Sequence, residues 1–310
     1  MDATPHPPLA IEISQDRVAG ARFTRKGTLE KFAVEEVPKG AIVPSAIETN
    51  LVNPAALNEA VRRISSQLEV TDEDAALMLP DPVIRVFVQH FDDFPRGHQE
   101  AIPMLRWKLK KSVPFEADET LLSYMRQAPP EEGVDVVTAI ARLRIVKEYE
   151  AVLENAGLRP GVVLSSTLAA VSLLDDQKPT LLARVSGTSL TTAIVHTGAL
   201  AGYRCTELPA HVESLTPQML LEEVYPVAAY YQDTWREGIE SVKVAGLGDR
   251  LGQFVRPLED EFKCPVRALL NAAISEGTGQ ENGFKVPNRG DPIEAERVTR
   301  WPSSGGAVVS

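Results

Sequence analysis

One pattern occurs twice in this chain, and few folds accommodate it. Residues 9–38, LAIEISQDRVAGARFTRKGTLEKFAVEEVP, and residues 181–209, LLARVSGTSLTTAIVHTGALAGYRCTELP, share one layout. Each runs as apolar strand, small polar turn, strand, turn at Gly, strand and then Pro, the grammar of consecutive hairpins. Identities are few and the match lies in spacing, so a duplicated unit and two unrelated hairpins both stay open as readings. Each stretch leads to a helix. After the first, Asn53 can cap and Pro54 suits the opening position, with Leu57, Val61, Ile64 and Leu68 on one face. After the second, a long helix is expected over 217–237. Three-stranded antiparallel units followed by helices, present twice, predict an α/β chain in two lobes, with any ligand in the crevice between them.

The intervening sequence fills in the lobes. Strands are expected at 75–79 and 83–88, a helix at 98–112 ending before Pro114, and strands at 120–127 and 134–143. A helix at 146–156 carries Val146, Tyr149, Val152 and Leu153 inward, and Gly157 stands where a left-handed cap belongs. A short strand at 162–164 and a helix at 166–175 follow, with Ser165, Ser166 and Thr167 better suited to capping than to nucleophilic chemistry. Residues 175–179 resemble a hinge. Beyond them lie strand 241–245, helix 249–262 and strand 265–269. From 276 the sequence is rich in Gly, Asn, Pro and Ser without periodicity, and a mobile tail is expected.

Composition removes several function classes. At 310 residues the chain can fill two cores. Its net charge of −11 opposes nucleic-acid binding, which needs a concentrated basic face. Cys205 and Cys264 lack zinc-type or CxxC spacing, and a reducing compartment is the expected setting. The five histidines show no HExxH and no Cys/His ligand spacing, so no metal site is expected. There is no Walker loop, GxGxxG or G-x-S-x-G elbow. No secretory signal is evident, and the longest apolar stretch, 162–174, is too short to span a bilayer. The expectation is a cytoplasmic protein that meets membranes through partners.

Several segments in order carry a family resemblance. LAIEISQDRVAGARF, residues 9–23, resembles the first phosphate hairpin of actin-like proteins, and LLARVSGTSLTTAIVHTGAL resembles the second. VKVAGLG, residues 242–248, resembles the strand and Gly loop beneath an adenosine. MLRWKLKKSVPF, residues 104–115, followed by acidic residues and a strand reaching Tyr124, resembles the signature of PilM-like type IV pilus assembly proteins. The resemblance spans residues 9 to about 270 and implies an actin-like (ribonuclease H-like) two-lobed fold with an inserted FtsA/PilM-type subdomain. The corresponding divisions are a first lobe at 1–178 with the insertion at about 81–144, a reduced second lobe at 179–275, and a flexible tail at 276–310.

The same resemblance implies a remnant nucleotide pocket formed by Glu12, Ser14, Arg184, Ser186, Gly187, Thr188, Gly246 and Gly248. A working pocket aims loop amides at phosphates and keeps carboxylates near a hydrated Mg²⁺. Here Glu12 replaces the usual Asp, Ser14 and Ser186 replace glycines, and Arg184 puts a permanent cation where an acid belongs. Arg184 could contact phosphate in place of the metal, or pair with Glu12 across a collapsed cleft. Gly246 and Gly248 fit either an adenosine loop or a tight strand-to-helix turn. Neither catalytic residues nor a resident cofactor are expected, ATP with Mg²⁺ being what the ancestry of the pocket would allow.

For partners, the resemblance implies a PilN-like inner-membrane protein whose short cytoplasmic segment lies between the first lobe and the insertion, with the pilus motor ATPase as a further partner. Trp107, Pro114 and Phe115 are the residues expected at that edge. The basic run Arg106, Lys108, Lys110 and Lys111 around Trp107 reads equally as a solvated helix face or a docking face. Competing functions are an actin-superfamily ATPase or kinase, disfavoured by Arg184; an FtsA-like membrane tether, disfavoured by a C-terminal stretch lacking an amphipathic stripe; and a GspL-type secretion protein, which would carry a membrane helix.

Overall fold

The computed structural model describes residues 7–269, apart from 25–26, 72, 117–118, 128–132 and 175–176. The tail expected from 276, and Asp175 and Asp176 of the expected hinge, lie outside the described residues. The first hairpin stretch forms β1 (Leu9–Ile13), β2 (Arg17–Phe23) and β3 (Leu29–Glu36). Helix α1 (Pro54–Leu68) leads back to β4 (Asp74–Leu79). Asn53 caps α1 by accepting from the Ala56 amide at 3.1 Å, and Pro54 stands at the first turn, as its missing N–H permits. Leu57, Val61, Ile64 and Leu68 are fully buried against the sheet, worth roughly 2 kcal/mol each in transfer terms.

After β4 the chain leaves the lobe. Pro80 and Pro82 cannot donate to a ladder, so the strand expected from 83 starts later, at β5 (Arg85–Phe91), behind a 3₁₀ turn at Asp81–Val83. Helix α2 (His98–Leu109), β6 (Thr120–Arg126) and β7 (Val134–Arg142) complete an antiparallel sheet in the order β5-β7-β6. Ala101 and Leu105 of α2 pack on Phe91, Phe94, Tyr124 and Val136, giving this sheet a small core of its own. The chain then returns through α3 (Leu143–Asn155), β8 (Arg159–Ser165) and α4 (Ser166–Val171). Ser165 caps α4 by accepting from the Leu168 amide at 3.1 Å.

The second hairpin stretch forms β9 (Thr180–Ser186), β10 (Ser189–His196) and β11 (Ala199–Glu207), followed by α5 (Pro217–Trp235), β12 (Ser241–Ala245), α6 (Leu251–Phe262) and β13 (Val266–Ala268). The two large sheets have the orders β3-β2-β1-β4-β8 and β11-β10-β9-β12-β13. In each, the first strand pairs antiparallel with its hairpin neighbour and parallel with the strand arriving from a helix. The senses match throughout, which decides between the two readings of the sequence in favour of one repeated unit. The three-stranded sheet interrupts the β4-to-α3 connection of the first unit.

Strand alternation explains how the lobes join. Leu181, Ala183 and Val185 of β9 face the core under α5 and α6, whereas Leu182, Ala193, Val195 and Leu200 join the core of the first lobe. Strand β9 is therefore covered on both faces, one wholly apolar and the other carrying Leu182 together with Thr180, Arg184 and Ser186.

Candidate functional site

The repeated topology points two turns at each other: Ser14–Asp16, between β1 and β2, and Gly187–Thr188, between β9 and β10. Arg184, near the end of β9, sits between them. Its guanidinium contacts the Glu12 carboxylate and donates to Asp81 Oδ2 at 3.3 Å. Of the two roles open to Arg184, the pairing with Glu12 is the one formed. The Arg184 side chain is only 11% exposed, so this bridge is largely screened from water.

Asp81 was not singled out from the sequence, yet it is the hub. Its side chain is 2% exposed. Oδ1 accepts from the Thr167 amide at 2.9 Å and the Tyr203 hydroxyl at 3.2 Å; Oδ2 accepts from the hydroxyls of Thr167 at 2.5 Å and Thr191 at 2.9 Å, besides Arg184. A carboxylate offers about four lone-pair sites, so its acceptor capacity is filled from within the chain. The donors come from α4, β9, β10 and β11, so one side chain pins the first lobe to the second. The available signal was an acid between two prolines at the carboxyl end of a buried strand, where open α/β sheets place functional groups.

The loops are filled in the same way. Gln15 accepts from the Thr188 amide at 3.2 Å. A Cβ on Gly187 would stand 1.9 Å from the Gln15 amide oxygen, and the φ of +58° there also favours glycine. Ser14 is buried and donates to Asp16 Oδ1 and the Arg17 carbonyl, both at 3.1 Å, closing its own turn. The Ser186 carbonyl accepts from Ser189 Oγ at 2.9 Å. Gly246 has φ +88°, and a Cβ would fall 1.8 Å from the Val185 carbonyl oxygen. Close packing against β9, together with the left-handed backbone, requires glycine there. Gly248, at φ +51°, opens a 3₁₀ turn ending in Arg250. The Arg250 guanidinium bonds the Val212 and Leu215 carbonyls, and the Val212 amide donates to the Gly187 carbonyl at 2.8 Å. Burial raises the Tyr203 hydroxyl well above its ordinary pKa, with the Asp81 charge adding to it, and burial likewise pushes the Cys205 thiol up to about 11.

A second location is open. A depression of about 450 Å³ is lined by Ile47, Glu48, Pro114, Phe115, Glu116, Glu119, Arg142 and Arg144, between the loop after β3 and the three-stranded sheet. Buried Asn50 shapes that loop. Its side chain donates to the Ser45 and Glu48 carbonyls at 2.9 and 2.7 Å and accepts from the Tyr149 hydroxyl at 2.9 Å. Arg142 and Arg144 bond the Ile47 carbonyl. Pro114 and Phe115 thus meet at one wall. Trp107 stands apart from it, 79% exposed on the outer face of α2. Arg142 and Arg144 were not anticipated; their place at the β7–α3 junction becomes evident only once the insertion is folded.

Among the described residues no group of three or more His, Cys, Asp or Glu side chains could hold a metal ion, and no helix is long and apolar enough to cross a membrane. The family model described as type IV pilus assembly protein PilM matches residues 10–199. A solved PilM–PilN type IV pilus biogenesis complex is similar in structure, at TM-score 0.71 and 17% identity, over 86% of this chain and 88% of that one. A Bacteroides thetaiotaomicron protein with an actin-like ATPase fold and unknown function matches at TM-score 0.53 and 12% identity, over 89% of this chain and 97% of its own. No curated protein matches. The fold is therefore actin-like.

Proposed function

We propose that this chain, which belongs to the PilM family of type IV pilus assembly proteins, is a non-enzymatic scaffold that holds a membrane partner through its inserted sheet. The partner is a PilN-like inner-membrane protein, and binding its cytoplasmic N-terminal segment would station the scaffold at the inner face of that membrane. The depression beside Phe115 carries this reading. It offers apolar walls in Ile47, Pro114 and Phe115 and both signs of charge in Glu116, Glu119, Arg142 and Arg144, which suits a short segment mixing apolar and charged residues. The solved complex sharing this fold is one of PilM with PilN.

The junction between the lobes supports the non-enzymatic half of the proposal. A Mg²⁺-nucleotide needs free loop amides and an available carboxylate. The residues here do not fit that group: the Thr188 amide is taken by Gln15, Asp81 is filled, and Glu12 is neutralised by Arg184.

Calorimetric titration with the N-terminal peptide of a PilN-like protein tests the binding claim. The expected result is saturable binding that falls about tenfold or more in Phe115→Glu, a change of about 1.4 kcal/mol. Failure of the purified protein to retain any inner-membrane pilus component would overturn the assignment.

A further inference from the structure

A second recess lies on the other side of Pro114. Strand β5 is an edge of the three-stranded sheet, β11 is an edge of the second-lobe sheet, and the two approach each other. Between Ile84–Phe87 and Tyr203–Cys205, with Lys111–Pro114 across one end, is a cavity of about 520 Å³. Its apolar surface comes from Val86, Phe87 and Val113 among others, and Arg85, Lys111 and Arg204 line it as well.

No acidic residue lines the recess beside those three cations. Arg22, Lys31, Arg63, Arg142, Arg159, Lys178 and Arg184 each have a carboxylate within ion-pair distance. Arg85, Lys111 and Arg204 have none among the described residues. The chain holds 43 acidic against 32 basic residues, so a recess lined by three cations and no acid runs against the overall balance. Arg85 and Cys205 stand on facing walls of the cavity, one from β5 and the other from β11.

We propose that this recess is a docking site for an extended acidic peptide of a partner protein, separate from the groove beside Phe115. Charge complementarity selects the ligand's sign, since positive groups unmatched within the chain attract and orient a negative segment. The two sheet edges select its form. An edge strand presents main-chain N–H and C=O groups that pair with an added strand, while side chains alternating along that strand meet the apolar wall and the cations in turn. A nucleic acid is opposed by the net charge of −11 beyond the recess. Inorganic phosphate would engage the cations and leave both edges and the apolar wall uncovered.

Fluorescence anisotropy tests the proposal, using a labelled synthetic peptide that alternates Asp or Glu with Val or Leu. The full chain is expected to bind it, more weakly as salt rises, and to lose about tenfold or more in affinity in the Lys111→Glu/Arg204→Glu double variant. Both side chains are exposed, and circular dichroism verifies that the double variant is folded. Phe115→Glu should leave this binding unchanged, which separates the recess from the neighbouring groove. Amides of β5 and β11 should gain protection from hydrogen exchange when the peptide is present. The proposal is overturned by absence of binding, by equal binding of a Lys-for-acid peptide, by indifference to the double variant, or by displacement of the peptide by equimolar pyrophosphate.

Discussion

The junction between the lobes and the inserted sheet treat polar side chains in opposite ways. At the junction, Arg184, Asp81, Glu12, Gln15, Thr167 and Thr191 satisfy one another, and the two loops that would face a ligand face each other instead. Around the inserted sheet, Arg85, Lys111 and Arg204 line a recess with no acid opposite, and the wall beside Phe115 is open. Residues of the same types are structural where their partners lie within the chain and available for recognition where they do not. Internally satisfied networks rigidify, and unsatisfied exposed charge confers specificity for something else.

The contrast can be broken most severely at Asp81. Asp81→Ala leaves Arg184 with Glu12 alone and takes an acceptor from two threonines and a tyrosine, and should cost about 3–5 kcal/mol in urea unfolding. A loss below about 1 kcal/mol would mean the hub is not holding the lobes together. Gly246→Ala should follow at about 3 kcal/mol, since the new methyl meets the Val185 carbonyl in a left-handed backbone; a thermal melt reads this directly.

Alkaline unfolding sharpens the picture at the boundary between the two regions, where half-buried Cys205 lines the recess. The folded Cys205 thiol titrates at about 11 against an ordinary value of 9.0, with burial the first cause. A group whose folded pKa is raised binds more protons in the fold than in the unfolded chain between those two values. Stability contributed by the protonated thiol is therefore complete below pH 9 and is lost as pH rises toward 11, on the order of 2 kcal/mol. The slope of stability against pH in that window should flatten in Cys205→Ala. The smallest effect is expected at Gln15→Ala, about 1 kcal/mol for one hydrogen bond. Removing that plug alone should not create MgATP binding, because Arg184 and Asp81 remain paired.

Much of this architecture was legible from local rules. The hairpins at 9–38 and 181–209, the Asn53 cap, the Ser165 cap and the inward face of α1 follow from turn chemistry and periodicity within short windows. The Glu12–Arg184 pair was legible because the two charges occupy equivalent places in the repeated unit. Asp81 and Gln15 were not, for a different reason. Asp81 collects donors from segments 86 to 122 positions away, and Gln15 meets Thr188 across 173 positions. No local pattern encodes such contacts; they exist only after both sheets have formed. Trp107 shows the converse. An aromatic within a basic run reads as an interface anchor, and Trp107 stands exposed on α2, outside the residues that line the depression beside Pro114 and Phe115.

On the proposed reading, the place where a nucleotide would sit is occupied by internal structure. Isothermal titration of the intact protein with MgATP, followed by assay of released phosphate, tests it most directly. A sealed junction gives no heat beyond dilution up to millimolar nucleotide and no phosphate. Saturable micromolar binding with turnover would contradict the account.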